Sequence, residues 1–279
     1  EEWFKDYVGG EGTAVRLLYD HMRIDKDPFD EIQPLIFSTG PLTGTSAPSS
    51  GRWNVVFYSP ATGTIGASNC GGRLAPQIKR AGYDMIMIKG KAKNPTYLSI
   101  IDDQIRFHDA SNVWGKGVSD TEDIIREELD DNKVKIASIG QAGENKVMFA
   151  SIMDDKHRAA GRGGAGAVMG SKNLKAIAIR GSNEIPTADK EKLKEESKKA
   201  REELFNEAFV RDELKPYGTP SFYDSIDDLG MLPTKNWQNT TFPDGREYLN
   251  HKAYHETLEV KAYACSGCPI ACGRHTVIK

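Results

Sequence analysis

Along the first two-thirds of the chain, hydrophobic residues come in short β-branched or aromatic runs broken by glycine, proline or aspartate, a pattern of strands. Residues 53–59 (WNVVFYS), 85–89 (MIMIK) and 97–101 (YLSII) are three such runs. Asp102 and Asp103 predict a hairpin turn into residues 104–108, where Ile105 and Phe107 alternate with polar neighbours. Residues 134–139, 147–153 and 174–180 continue the series. Two helices interrupt it. One covers residues 73–81, with Pro76 tolerated in its first turn and Gly82 at its end. The other follows Ser119, where Ser119 and Glu122 have the spacing of a capping box ahead of Ile124, Ile125 and Leu129.

The pattern changes near Pro186. From Asp189 to Glu203, 12 of 15 residues are charged, with both signs interleaved. Leu193, Ala200, Leu204 and Ala208 recur at helical spacing, which predicts a solvated helix with one narrow buried stripe. Pro216, Gly218 and Pro220 end it, and shorter helices and loops follow. The expected fold is α+β: a mixed, strand-rich domain over residues 1–185, then a mainly helical domain over residues 186–279. At about 150 residues per domain, the 279-residue length agrees with two cores.

A formal charge of −3 gives no global basic field, so nucleic acid is not an expected partner. No apolar run is long enough to span a membrane, and the opening EEWFKDYVGG has neither the basic nor the apolar region of a secretory signal, so the expected location is cytoplasmic. Glycine is over-used, at 27 of 279 residues, and its clusters mark candidate sites.

Cys265, Cys268 and Cys272 fall within eight residues, while Cys70 stands alone. Without a secretory signal, disulfides are a poor reading. The spacing C-x2-C-x3-C suits thiolates converging on an iron–sulfur cluster, and Pro269 stiffens the loop. Its order is the reverse of the radical-SAM spacing. A structural zinc site is the alternative; it needs a fourth ligand, for which His275 is the nearby candidate.

The second signal runs from His157 to Lys172 (HRAAGRGGAGAVMGSK). Five glycines between Gly161 and Gly170 let backbone amides approach an anion, and Arg158 and Arg162 can bond phosphate. The segment lacks the G-K-[ST] ending of a P-loop and the usual dinucleotide context of strand, G-x-G-x-x-G and helix, so a phosphate-bearing cofactor other than an ordinary nucleotide is expected. The alternative is a glycine-rich packing turn. Two further loops fit the theme: residues 40–52, ending in Arg52 before a strand, and Ser68-Asn69-Cys70-Gly71-Gly72, read as a loop opening a helix. Residues 9–12 (GGEG) are a fourth such loop or a helix start.

TGPLTGTSAP–SGRWN, SNCGG, AGYDMIMIKGKA, IGQAGEN, HRAAGRGGAGAVMGSKNLKAIA and CSGCPIACGR occur in the order found in one family. The chain resembles, over nearly its whole length, the tungsten-containing aldehyde:ferredoxin oxidoreductases. That resemblance implies a tungsten or molybdenum centre held between two pterin dithiolenes, a nearby [4Fe–4S] cluster, oxidation of small aldehydes to carboxylic acids, and ferredoxin or a similar protein as electron acceptor. Members carry the cofactor on an N-terminal two-sheet base, and a homo-oligomer is compatible with the family. By motif, Cys265, Cys268 and Cys272 would ligate the cluster. Arg52 would lie between pterin and cluster. Asn69 and Ala159 would offer backbone carbonyls to a Mg²⁺ ion joining the pterin phosphates, and Gly71, Arg158, Gly161 and Arg162 would line phosphates and pterin. Hard cations, loop amides and arginines are the groups that neutralise such phosphates.

Members are longer, and their fourth cysteine ligand and substrate pocket follow the cluster motif, so the chain reads as a portion of a longer polypeptide, with no general acid or base to assign. Cys70, where the family often has serine, is expected to be a packing thiol rather than a fourth ligand. A second reading is a non-catalytic electron-transfer or cofactor-carrying subunit of a related complex. Substrates within the family range from aldehydes to glyceraldehyde 3-phosphate and aromatic thioesters, and the residues that choose among them lie outside this sequence.

Overall fold

A computed structural model describes residues 2–278, with side chains from residue 5 onward. The chain divides into two compact units, Glu1–Ala188 and Asp189–Lys279.

The first unit is built on two sheets. β1 (Leu35–Thr39), β2 (Trp53–Tyr58), β3 (Ile65–Cys70) and β4 (Met85–Ile88) form an antiparallel sheet in the order β3-β2-β1-β4. β5 (Thr96–Ile101), β6 (Gln104–Asp109), β7 (Lys135–Ser138), β8 (Ile152–Asp154), β9 (Arg158–Ala160) and β10 (Leu174–Arg180) form a mixed sheet in the order β6-β5-β10-β7-β8-β9, in which β10 and β5 run parallel. Period-2 alternation decides which core each side chain joins. On β10, Ile177 and Ile179 face the core shared by the two sheets, whereas Ala176 and Ala178 face an outer core. β1 is buried at every position because both of its faces are covered: Leu35 and Phe37 by the shared core, Ile36 by a helix on the far side.

Helices complete the layers. α1 (Glu2–Tyr7) leads into α2 (Gly10–His21), which buries Ala14 and Leu18 against Ile36 and Val56. Residues 9–12 are thus a helix start. α3 (Leu74–Arg80) and α6 (Ala165–Ser171) each touch both sheets and contribute Leu74, Ile78, Val168 and Met169 to the shared core. α4 (Val118–Glu128) covers the outer face of the second sheet with Ile125, and α5 (Gln141–Glu144) packs against α6. Burying side chains of this size stabilises by roughly 1.5–3 kcal/mol each before the entropy of ordering is counted.

Three local expectations are corrected. α4 is capped by Gly117 and begins one residue before Ser119, so Ser119 lies inside the helix and cannot cap it; Glu122 points inward instead. Residues 147–150 form a turn, and only Ile152–Asp154 of the expected 147–153 strand pairs, because the backbone of Ala150 is used by the amide of Gly166. Ser68, Asn69 and Cys70 belong to β3 itself, with Cys70 paired to Trp53, rather than to a loop after the strand.

In the second unit, α7 (Lys190–Asn206) starts at Asp189, whose side chain accepts from the Lys192 amide at 2.9 Å. Its buried position is Ser197, bonded back to the Leu193 carbonyl; Leu193, Ala200 and Leu204 are half-buried, and Ala208 lies beyond the helix, exposed. A π turn over Val210–Leu214, α8 (Lys215–Tyr217), α9 (Tyr223–Asp228), α10 (Arg246–Leu249) and α11 (His251–Thr257) follow. An antiparallel hairpin, β11 (Glu259–Tyr263) with β12 (Gly273–Val277), closes the unit, and the sequence pattern alone gave no strand here.

Candidate cofactor-binding site

β3 is the outer strand of the first sheet and β9 the outer strand of the second, and the two pack against each other. That meeting joins motifs about 90 residues apart in sequence: the Arg162 amide donates to Ser68 Oγ at 3.2 Å. At the end of β2, Ser59 Oγ donates to the Gly163 carbonyl at 2.7 Å. Alternation on β3 turns Ser68 and Cys70 inward and Asn69 outward. Arg52, just ahead of β2, donates through Nε to Asn69 Oδ1 at 3.0 Å and through a terminal nitrogen to the Asn69 carbonyl at 3.4 Å.

Of the residues singled out in the sequence, Arg52, Asn69, Ala159, Gly161 and Arg162 are exposed, and Arg158 is half-buried on β9. Gly71 is buried in the turn from β3 into α3, so the structure does not set it on the exposed face with the others.

The glycines of the 157–172 segment divide by role. Gly164 has φ +87°, and a side chain there would run into the Met148 carbonyl; at Gly170 it would run into the Gly143 carbonyl. These two serve packing. Gly161 has only the Ala159 Cβ near it, at 3.8 Å, and stays open toward solvent beside Arg162. The segment forms a strand, loop and helix, β9 to α6, but its strand is antiparallel to β8, so it is not a crossover unit of the dinucleotide-binding kind.

Two buried carboxylates hold this region: Asp154, which no sequence pattern marked, and Glu122, which the sequence offered only as a capping-box partner. Asp154, at the end of β8, is fully buried. Its Oδ2 accepts from the Trp53 indole N–H at 3.0 Å and the Leu74 amide at 3.3 Å, and its Oδ1 has no hydrogen-bond partner. Burial pushes its carboxyl up to about 7. The inward position on an alternating strand was the available signal. Glu122, also buried, accepts from the Lys156 amide at 2.8 Å and from Arg126 at 2.7 Å. Its pKa is raised by burial. Lys156 and Asp155 both have left-handed backbone, with φ of 62° and 54°, in the three-residue turn between β8 and β9. Left-handed backbone at a non-glycine residue costs about 1–3 kcal/mol, and Glu122, accepting from the Lys156 amide, helps to hold it here. Lys156 Nζ adds an ion pair with Asp123 at 2.6 Å.

In the second unit, the three cysteines sit on the loop between β11 and β12. All are half-buried and none is disulfide-bonded. The Cys268 amide donates to the Cys265 carbonyl at 3.2 Å across a turn whose Gly267 has φ +68°. Arg274 pins the loop, donating to the Ala271, Gly273 and Lys215 carbonyls at 2.6, 2.8 and 2.7 Å. Among the described residues, no three His, Cys, Asp or Glu side chains stand where they could share one metal ion. His275 is exposed on β12 opposite Lys261, which does not favour the zinc alternative. A cluster binds each thiolate through a different iron, so three thiols spread along one pinned loop suit it better than a single ion. Cys70 is buried in the core shared by the two sheets, as expected of a packing thiol.

A two-sheet base with an arginine- and asparagine-lined edge, followed by a unit presenting three thiols on one loop, is the class of fold and candidate site found here, and similarity gives the family. Residues 1–181 match the family model of the aldehyde ferredoxin oxidoreductase N-terminal domain, and residues 195–279 that of its domains 2 and 3. The chain belongs to the aldehyde ferredoxin oxidoreductase family. It is 48% identical over 274 residues to a tungsten-containing aldehyde ferredoxin oxidoreductase of Pyrococcus furiosus, across 98% of this chain and 45% of that protein. It is 35% identical over 289 residues to the WOR-like subunit of an aliphatic sulfonate oxidoreductase of the same organism, again across 98% of this chain and 45% of that protein. The solved active-site complex BamBC of benzoyl coenzyme A reductase, with bound 1,5-dienoyl-CoA, superposes with a TM-score of 0.84 at 31% identity, covering 100% of this chain and 44% of that one. The chain thus spans less than half the length of these relatives. No helix among the described residues is long and apolar enough to cross a membrane.

Proposed function

We propose that the protein containing this chain oxidises small aldehydes to carboxylic acids on a tungsten or molybdenum bis-pterin and passes the electrons through a [4Fe–4S] cluster to ferredoxin or a similar acceptor. The observation that carries the reading is the meeting of β3 with β9, which sets Arg52, Asn69, Ala159 and Arg162 on neighbouring strands and turns at one sheet edge. Phosphates bring several negative charges to one place, and guanidinium groups, the amides of a glycine-rich turn and backbone carbonyls carrying a hard cation are the means to hold them.

In this reading Asn69 and Ala159 offer backbone carbonyls to Mg²⁺. Arg158, Gly161 and Arg162 bind phosphate and pterin, and Gly71 shapes the turn behind them. Arg52, tethered to Asn69, supplies fixed positive charge beside the cofactor. Cys265, Cys268 and Cys272 supply three of the cluster's thiolates. The bound cofactors supply a two-electron oxidation and a one-electron exit; the chain's own groups bind, orient and balance charge. No proton-transferring residue is assigned.

A second reading, a cofactor-carrying or electron-transfer subunit, is favoured by one observation: the similar proteins include a chain named as a subunit and one solved as an active-site complex. Metal analysis of the full-length protein purified without oxygen decides. Four irons and one tungsten or molybdenum per chain, with aldehyde-dependent reduction of ferredoxin, are expected. Iron without tungsten or molybdenum moves the reading to the subunit. Zinc without iron overturns both.

A further inference from the structure

The cradle at the β3–β9 edge is assembled from two sheets with separate hydrogen-bond ladders, and something must fix one to the other. Asp154 is placed to do so. It ends β8, directly opposite Arg158 of β9 in the antiparallel register. From there its carboxyl reaches out of its own sheet to Trp53, the residue after Arg52, and to the Leu74 amide, at the end of the turn that follows Asn69. Gly72, in that turn, lies so close that any side chain there would strike the carboxyl. One group therefore touches all three segments that carry the candidate cofactor contacts.

We propose that Asp154 is the positioning residue of the cradle: it clamps the turn after β3 and the start of β2 onto the β8–β9 hairpin, and it takes up a proton when phosphate occupies the site. The proposal rests on the cradle being a phosphate site. The second half follows from charge and burial. An ionised carboxylate with one orphaned oxygen, sealed from water, is disfavoured by each added negative charge nearby. The groups facing it are already mostly acidic: Asp155 and Glu122 both push its pKa up, while Arg73 pairs with Asp155 at 3.7 Å rather than with Asp154. Arg158 is the cation across the register. With the carboxyl pushed up to about 7 by burial, phosphate binding and proton uptake fall in the same accessible range. By linkage, whatever protonation does for phosphate affinity, phosphate must do for proton affinity.

Trp53 is the natural reporter, because its indole N–H is bonded to the titrating oxygen. The experiment uses cofactor-free full-length protein with inorganic pyrophosphate as the probe, following tryptophan fluorescence against pH in wild type, Asp154→Asn and Trp53→Phe. A transition near pH 7 is expected in wild type and in neither variant, and saturating pyrophosphate is expected to move it upward by about half a pH unit, roughly a threefold gain in proton affinity. Asn keeps an acceptor oxygen for Trp53 and Leu74, so a clamp that merely fills space would leave Asp154→Asn and wild type alike at every pH. Should Asp154→Asn fail to fold, loss of the transition in Trp53→Phe and its movement by pyrophosphate in wild type still decide. Persistence of the transition in Asp154→Asn, or pyrophosphate binding that leaves it in place, overturns the proposal alone. Pyrophosphate binding too weak to detect, or binding that is unchanged in Arg162→Ala, overturns the cradle reading and the proposal with it.

Discussion

A carboxyl that folds into a place where its charge is unwelcome makes stability depend on pH. Asp154 carries its proton up to about pH 7 when folded, against an ordinary value of 3.8. Between those values the folded state binds a proton that the unfolded state has released, so stability falls as pH rises through the window and levels off above it. Between about pH 5 and pH 8, wild type should lose about 2–3 kcal/mol more than Asp154→Asn in urea unfolding, since Asn has no charge to bury. Glu122 contributes in the same direction and is present in both proteins, so the difference isolates Asp154. Parallel pH profiles would mean that the carboxyl is solvated. At this scale the sequence was only partly legible. Asn69, Ala159 and Arg162 were expected from motifs, but Asp154 matched no motif and Glu122 only a capping-box spacing, because what distinguishes them is burial and partners distant in the chain.

The β8–β9 hairpin shows how an element is specified from outside itself. Two residues of its three-residue turn, Asp155 and Lys156, hold left-handed backbone without a glycine, and its strands have three residues each. What fixes it is α4, through Glu122 on the Lys156 amide and Asp123 on the Lys156 ammonium. Glu122→Ala should cost about 2–3 kcal/mol, because it strands a turn amide and the partly buried Arg126 together. It should also speed hydrogen exchange across residues 156–160 by about tenfold while leaving β5 and β10 protected. Unchanged exchange in the hairpin would show that the turn holds itself. The capping-box spacing of Ser119 and Glu122 was a real pattern put to another use. A local rule sees the interval between two residues; it does not see that the helix starts one residue earlier and that the glutamate faces a strand turn 34 residues further on. Residues 147–150 were misread for a related reason, since an apolar run looks the same whether its backbone pairs with a strand or meets the glycines of α6.

For the whole molecule, the two candidate cofactor sites lie on two units with their own internal contacts. Cys268→Ser should therefore abolish the iron–sulfur absorbance and lower iron from four per chain to under one, while tungsten or molybdenum stays near one per chain. Concerted loss of both metals would show that the units do not hold their cofactors independently. The sequence by itself determined the strand-rich first unit, most strand positions, the charged helix that opens the second unit, and the residue types of both sites. These are local: hydrophobic period, turn chemistry and motif spacing act between near neighbours. The tertiary structure alone decided that β3 and β9 become the meeting edges of different sheets, that Gly71 turns inward, and that the cysteines sit in a hairpin. It also decided that a buried aspartate ties the cradle together. Those outcomes depend on which surfaces are left once every strand has found its partner, and no interval along the chain encodes that.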